Sequence, residues 1–180
     1  MTKTRLETFS DGVFAIVITL LVLDIKVPEV DYTHLGSALI ALTPKFISYL
    51  LSFSLIGLYW LGHHFYFEKI KKVDGSFLWL NILFLLLVSV LPFPTALLGK
   101  YPLMPIPLTL YGLNMLLVNT VSFIMLRYIY CNKQLANEHF KDEFYQLQLP
   151  IFIYMNSFYI IAILFSYWLP IVSYIIYILL

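Results

Sequence analysis

Near the start of the chain two neighbours, Ser10 and Asp11, place a hydroxyl and a carboxylate inside an otherwise apolar run, "RLETFSDGVFAIVITLLVLDIK". A second apolar run, "LYWLGHHFYF", carries Trp60, His63 and His64, and a third carries Asn81. These residue types could do three kinds of chemistry. Ser10, Asp11 and His63 include a nucleophile, a base and an orienting group. Two histidines could hold a metal. A carboxylate and a hydroxyl facing indole and imidazole N–H donors could form a hydrogen-bonded network. Helix geometry argues against the first two. Consecutive residues point about 100° apart, so Ser10 and Asp11 do not converge on one reacting atom, and no glycine-rich turn supplies an oxyanion hole. His63 and His64 diverge for the same reason, since ligands on one helix face need a spacing of three or four. Cys131 is the only cysteine, which removes an intramolecular disulfide framework and a cysteine-based metal site. The expectation is no enzyme, no metal and no cofactor.

A network is required because of where these residues stand. Apolar residues make up 61% of the 180 positions and charged ones 12%, against roughly a quarter charged in a soluble domain; the mean hydropathy is +0.87. A membrane span needs about 20 predominantly apolar residues. Runs of that kind predict an all-α polytopic membrane protein in one domain, 1–180, with six transmembrane helices at about 5–25, 43–69, 76–98, 107–131, 145–166 and 168–180. The last is awkward, because Pro170 to Leu180 covers only about 16 Å as a helix; it is a short or tilted helix, or the natural protein continues. No internal repeat and no low-complexity stretch is visible.

The Lys and Arg positions set the orientation. With the N-terminus cytoplasmic, Lys3, Arg5, Lys69, Lys71, Lys72, Arg127, Lys133 and Lys141 fall inside, and Lys26, Lys45 and Lys100 outside, as the positive-inside tendency favours. The net charge of +1 is spread over short loops with no basic stripe, so nucleic acid is not a partner. The leading segment is read as a span and not a cleaved leader, because Asp11 interrupts its approach and no small-x-small pattern precedes Asp24. Trp79 and Trp168 suit interfacial anchors; Asn114, Asn119, Asn156 and Ser157 suit hydrogen bonds between helices.

On this scale Asp11 lies about 20 Å along the helix from Asp24 and about 10 Å inside the cytoplasmic boundary. An unpaired carboxylate at the centre of a span costs about 3 kcal/mol, so partners are expected. Trp60, His63 and His64 stand at similar depth in the second span, with Asn81 a further candidate; His63 is expected in the network and His64 turned elsewhere. With Ile16 set at zero and about 100° per residue, Phe9, Gly12, Leu20 and Leu23 fall within about 40° of it and Thr19 about 60° away. Ser10 and Asp11 come out about 120° and 140° away, on either side of the opposite face.

"RLETFSDGVFAI", followed by Thr19, resembles the Arg-x-x-x-Phe-Ser-Asp element of the transmembrane protein 175 family of potassium channels, in its prokaryotic single-repeat branch. Trp60 and His63 in the second span and "LNILFLLLVSVLPFPTALL" in the third extend the resemblance over the first hundred residues. The resemblance implies a six-helix subunit that assembles as a homotetramer in the plasma (inner) membrane of a prokaryote, its first helix lining a central pore for potassium and other monovalent cations. It implies that Arg5, Phe9, Ser10 and Asp11 hold helices together near the cytoplasmic side, that Ile16, Leu20 and Leu23 narrow the pore, and that the Thr19 hydroxyl aids potassium preference. The stripe found from helix geometry agrees with that division. A ring of Ile16 side chains offers no hydrogen-bonding group and would gate by expelling water. No Thr-Val-Gly-Tyr-Gly filter exists in the chain, so selectivity should be modest. The main alternative is a secondary transporter, which would need a midplane site at broken helices; "LPFPT" is the one hint of a break, and it stands near the outer boundary.

Overall fold

The computed structural model describes residues 2–137 and 142–180. Eight α-helices are present among them: α1 (Lys3–Leu20), α2 (Leu35–Ala41), α3 (Thr43–Glu68), α4 (Gly75–Val90), α5 (Pro92–Lys100), α6 (Pro105–Cys131), α7 (Asp142–Phe165) and α8 (Pro170–Leu179). No strand occurs among the described residues; an isolated antiparallel bridge joins Ile70 to Ala136. Among the described residues, five segments are long and apolar enough to cross a membrane: Lys3–Asp24, Thr43–Glu68, Gly75–Lys100, Pro105–Cys131 and Tyr145–Phe165. At ten residues, α8 is about 15 Å long and too short to cross alone.

Local chemistry sets the helix ends. The Thr2 side chain accepts the Arg5 backbone N–H and caps α1, and Asp74 accepts the Phe77 N–H at 2.8 Å and caps α4, each satisfying an orphan donor of a first turn. Proline opens α3, α5, α6 and α8, where its missing N–H costs nothing.

The structure adds detail within the first and third spans and between the first two. The first span ends as an α-helix at Leu20 and tightens to a 3₁₀ turn over Leu21–Asp24, where Lys45 Nζ donates to the Asp24 carbonyl at 3.1 Å. The third span, expected as one helix, is divided at Leu91 into α4 and α5, because Pro92 and Pro94 cannot donate to the ladder; Thr95 Oγ1 instead donates back to the Leu91 carbonyl at 2.8 Å. Between the first two spans the chain forms a 3₁₀ turn over Tyr32–His34 and the short α2.

α1 packs against α3 and α4, α5 joins α3 to α6, and α7 and α8 pack on α6. The core runs through Phe14, Ile56, Phe67, Phe84, Leu108, Tyr111, Met115 and Tyr177, all nearly fully buried. Gly112 permits the closest approach: a Cβ there would fall on Tyr177 Oη and 2.8 Å from Ile163 Cγ1. The phenol of α8 thereby reaches the Leu108 carbonyl at 2.9 Å, seating the final helix against α6.

Polar side chains inside the bundle link helices. Asn114 Nδ2 donates to the Leu87 carbonyl at 3.1 Å, and Asn119 Nδ2 to Asn156 Oδ1 at 2.8 Å. Ser157 differs from expectation and donates to Ile153 of its own helix, the usual back-bond of a serine that faces outward. Trp79 and Trp168 are both largely exposed. Backbone contacts bring the Lys3, Lys69–Lys72 and Lys133 segments to one end of the bundle, while Lys45 meets Asp24 at the other. Lys141, counted above among the cytoplasmic cations, lies outside the described residues.

Candidate functional site

The residues singled out from sequence converge where α1, α3 and α4 meet. One stripe of α1, made of Leu6, Ser10, Phe14, Val17 and Leu21, is buried against the other two helices. Ser10, His63 and Asn81 are buried and joined in one relay. His63 Nε2 lies 2.7 Å from Asn81 Oδ1, Asn81 Nδ2 donates to Ser10 Oγ at 3.1 Å, and Ser10 donates to the Leu6 carbonyl at 2.9 Å. The direction follows from counting protons. Ser10 spends its single hydrogen on Leu6, so Asn81 must present its amide N–H to Ser10 and its oxygen to His63, which must then donate from Nε2. The imidazole is enclosed by aromatic rings, stacked on Phe67 at 4.4 Å and Phe84 at 5.7 Å and met edge-on by Phe14 at 5.6 Å.

Asp11 is placed differently from Ser10. It stands at the margin of the exposed side of α1 and accepts the Trp60 indole N–H at 2.9 Å. The expected network is therefore two separate units, a buried relay and an exposed acid–indole pair, because neighbouring residues on a helix diverge by about 100°. Beside that pair a groove of about 360 Å³ runs between α1 and α3, lined by Asp11, Phe14, Ala15, Ile18, Ile56, Gly57 and Trp60. His64 points away from the relay, with its ring nitrogens 3.9 Å from Glu7 Oε1 and 3.5 Å from Glu68 Oε1.

The remaining face of α1 is left uncovered by the described residues. Phe9, Ile16, Leu20 and Leu23 are 54%, 61%, 44% and 67% exposed, and Thr19 is exposed among them. The Thr19 hydroxyl hydrogen is directed to its own helix, 2.8 Å from the Ile16 carbonyl and 3.0 Å from that of Ala15. Its oxygen lone pairs are left for whatever lies outside. Arg5 is exposed on the same side and its guanidinium has no partner among the described residues. Within one chain the structure thus does not bring Arg5 or Phe9 to Ser10 and Asp11, because both fall on the uncovered stripe. No group of three or more His, Cys, Asp and Glu side chains among the described residues is arranged to hold a metal.

Sequence reasoning missed two fastenings of α1. Lys3 Nζ donates to the Ile70 carbonyl at 2.9 Å, and Lys45 Nζ sits 3.5 Å from Asp24 Oδ2. The second was within reach, since a cation and an acid stood at the same expected boundary of two spans. The first was not, because it ends on a backbone oxygen. The aromatic enclosure of His63 could have been found in part: Phe14 follows Ser10 by four positions and so shares its face.

A family model described as the endosomal/lysosomal potassium channel TMEM175 matches residues 5–92. A potassium channel of Chryseobacterium sp. (strain P1-3) is 34% identical over 173 residues, which cover 96% of this chain and 87% of that protein. The chain belongs to the TMEM175 family. This is a family of ion channels, not of enzymes, and its function calls for no cofactor. A potassium channel of Streptomyces collinus is 49% identical over 98 residues, covering 54% of this chain and 48% of its own length. The crystal structure of a lysosomal potassium-selective channel TMEM175 homolog from Chamaesiphon minutus superposes with a TM-score of 0.87 at 31% identity, covering 98% of this chain and 93% of that one. The TMEM175 family model ends at residue 92, so it contains the whole of the α1–α3–α4 junction.

The burial difference between the two units has a measurable consequence. Asn81→Leu removes the bridge and leaves the His63 N–H unpaired in an apolar setting, which should cost about 1–3 kcal/mol. Trp60→Phe, at an exposed pair, should cost less than about 1 kcal/mol. Thermal melting of the two variants in detergent reads the contrast; equal losses would mean that the buried relay is not what holds α1 in place.

Proposed function

We propose that the chain is the subunit of a homotetrameric, potassium-permeable and modestly selective cation channel in the plasma membrane of a prokaryote. In this reading residues 1–180 form one six-helix channel domain, with α8 as a short sixth helix and the N-terminus cytoplasmic. The first helix of each subunit lines the shared axis. The observation that carries the reading is the exposed apolar stripe of α1: the opposite side is buried through Leu6, Ser10, Phe14 and Val17, and this one holds Ile16, Leu20 and Leu23 in a line.

Four copies of that stripe around an axis stack apolar rings at three levels. Such a constriction excludes water, and a cation crosses only when the ring is wide enough to keep part of its hydration shell. Thr19 lies one turn beyond Ile16 with its hydroxyl hydrogen already bound to its own helix, so it offers a cation lone pairs and no competing donor. A single hydroxyl per subunit replaces only part of a hydration shell, hence the modest selectivity. The likeness to the potassium channels of Chryseobacterium and Chamaesiphon supports potassium as the permeant ion. The excess of Lys and Arg at the end of the bundle that holds Lys3 and Lys71 supports placing that end in the cytoplasm.

Flux in liposomes tests the proposal. The purified protein should carry potassium down its gradient in single-channel steps too large for a carrier, and Ile16→Asn, by wetting the ring, should raise conductance and weaken cation discrimination. Coupled, saturating flux, or an Ile16→Asn channel that conducts no better, would contradict it. Thr19→Val should lower the potassium-to-sodium permeability ratio measured from reversal potentials; an unchanged ratio would remove Thr19 from selectivity.

A further inference from the structure

At the end of the bundle that holds Lys3, two loops distant in sequence are clipped together. The Lys71 N–H donates to the Leu135 carbonyl and the Asn137 N–H to the Lys69 carbonyl, both at 2.8 Å, around the Ile70–Ala136 bridge. Asn137 Nδ2 adds a bond to the Glu68 carbonyl at 2.7 Å. Lys3 donates to Ile70 and draws the first turn of α1 into the same clip. The clip sets Lys71 and Lys72 on one loop beside Lys133 on the other.

All three of these lysines are exposed, and none makes an ion pair among the described residues. The described acids nearby are already engaged. Asp74 accepts from the Phe77 N–H at 2.8 Å and from Tyr128 Oη at 2.7 Å, and Glu68 faces His64. Trp79, on the first turns of α4 just beyond Asp74, is 70% exposed, as suits an indole at headgroup depth. Lys71 and Lys72 stand between the end of α3 at Glu68 and the start of α4 at Gly75, and Lys133 follows the end of α6 at Cys131, so all three lie close to the ends of apolar spans.

We infer that this clip is a binding site for the phosphodiester headgroup of an anionic phospholipid, held by Lys71, Lys72 and Lys133. A basic group near an anionic surface strengthens attachment by about fivefold, so three acting together supply about a hundredfold. Folding joins the two loops and thereby collects charges that neither loop holds alone.

Native mass spectrometry of the detergent-purified protein, titrated with phosphatidylglycerol and with phosphatidylcholine, tests this without any reading of flux. The wild type should retain phosphatidylglycerol preferentially. The combined variant Lys71→Gln, Lys72→Gln, Lys133→Gln should bind it about a hundredfold more weakly, at an unchanged melting temperature, while Lys→Arg at the same positions should retain it. Equal retention of the two lipids by the wild type, or undiminished phosphatidylglycerol binding by the glutamine variant, would overturn the assignment. Displacement of the lipid by an equal concentration of inorganic phosphate would also overturn it, by showing a site for free phosphate.

Discussion

The rotation of α1 is fixed by one requirement: a buried serine, asparagine and histidine must find partners where no water can serve them. Ser10, Asn81 and His63 satisfy one another across three helices, and Ser10 returns its own proton to Leu6. Turning α1 by one residue would replace Ser10 with Phe9 or Asp11 and leave Asn81 and His63 unpaired in hydrocarbon, at about 1–3 kcal/mol for each group. Everything on the opposite side follows. With Leu6, Ser10, Phe14, Val17 and Leu21 held inward, Ile16, Leu20 and Leu23 can only face out.

That constraint is reinforced at both ends of the helix. Lys3 ties the first turn to Ile70, and Lys45 holds the 3₁₀ turn at Asp24. In the proposed channel, a helix anchored at three heights would keep a defined line of side chains toward the shared axis, and a hydrophobic constriction needs such a line, since its dimensions depend on small displacements of apolar groups. The Asp11–Trp60 pair lies at the edge of this arrangement, exposed beside an open groove.

Much of this was legible in the sequence for identifiable reasons. The five long spans announce themselves as apolar runs, and the 3.6-residue period sorts Ile16, Leu20 and Leu23 from Ser10 before any coordinate is known. The division of the third span was half visible: Pro92 and Pro94 signalled a break, but Thr95 Oγ1 bonding to the Leu91 carbonyl, which keeps the two pieces together, is a local rearrangement that periodicity does not encode. The angle between Asp11 and Ser10 was legible on a helical wheel, but a wheel does not give neighbours; which of the two is covered depends on where α3 and α4 pack. The loop clip was out of reach altogether, since backbone pairing between residues 69–71 and 135–137 leaves no mark in side-chain type.

The central claim, that the uncovered stripe of α1 surrounds a shared aqueous path, is tested most directly by thiol accessibility. In a Cys131→Ser background, Ile16→Cys places a ring of thiols at the proposed constriction, and cadmium, which thiolates bind, should block potassium flux through it at low concentration. Leu86→Cys, on the exposed side of α4, should be indifferent to the metal. Cadmium block at position 86 with none at position 16 would show that ions travel elsewhere and that Ile16 faces lipid.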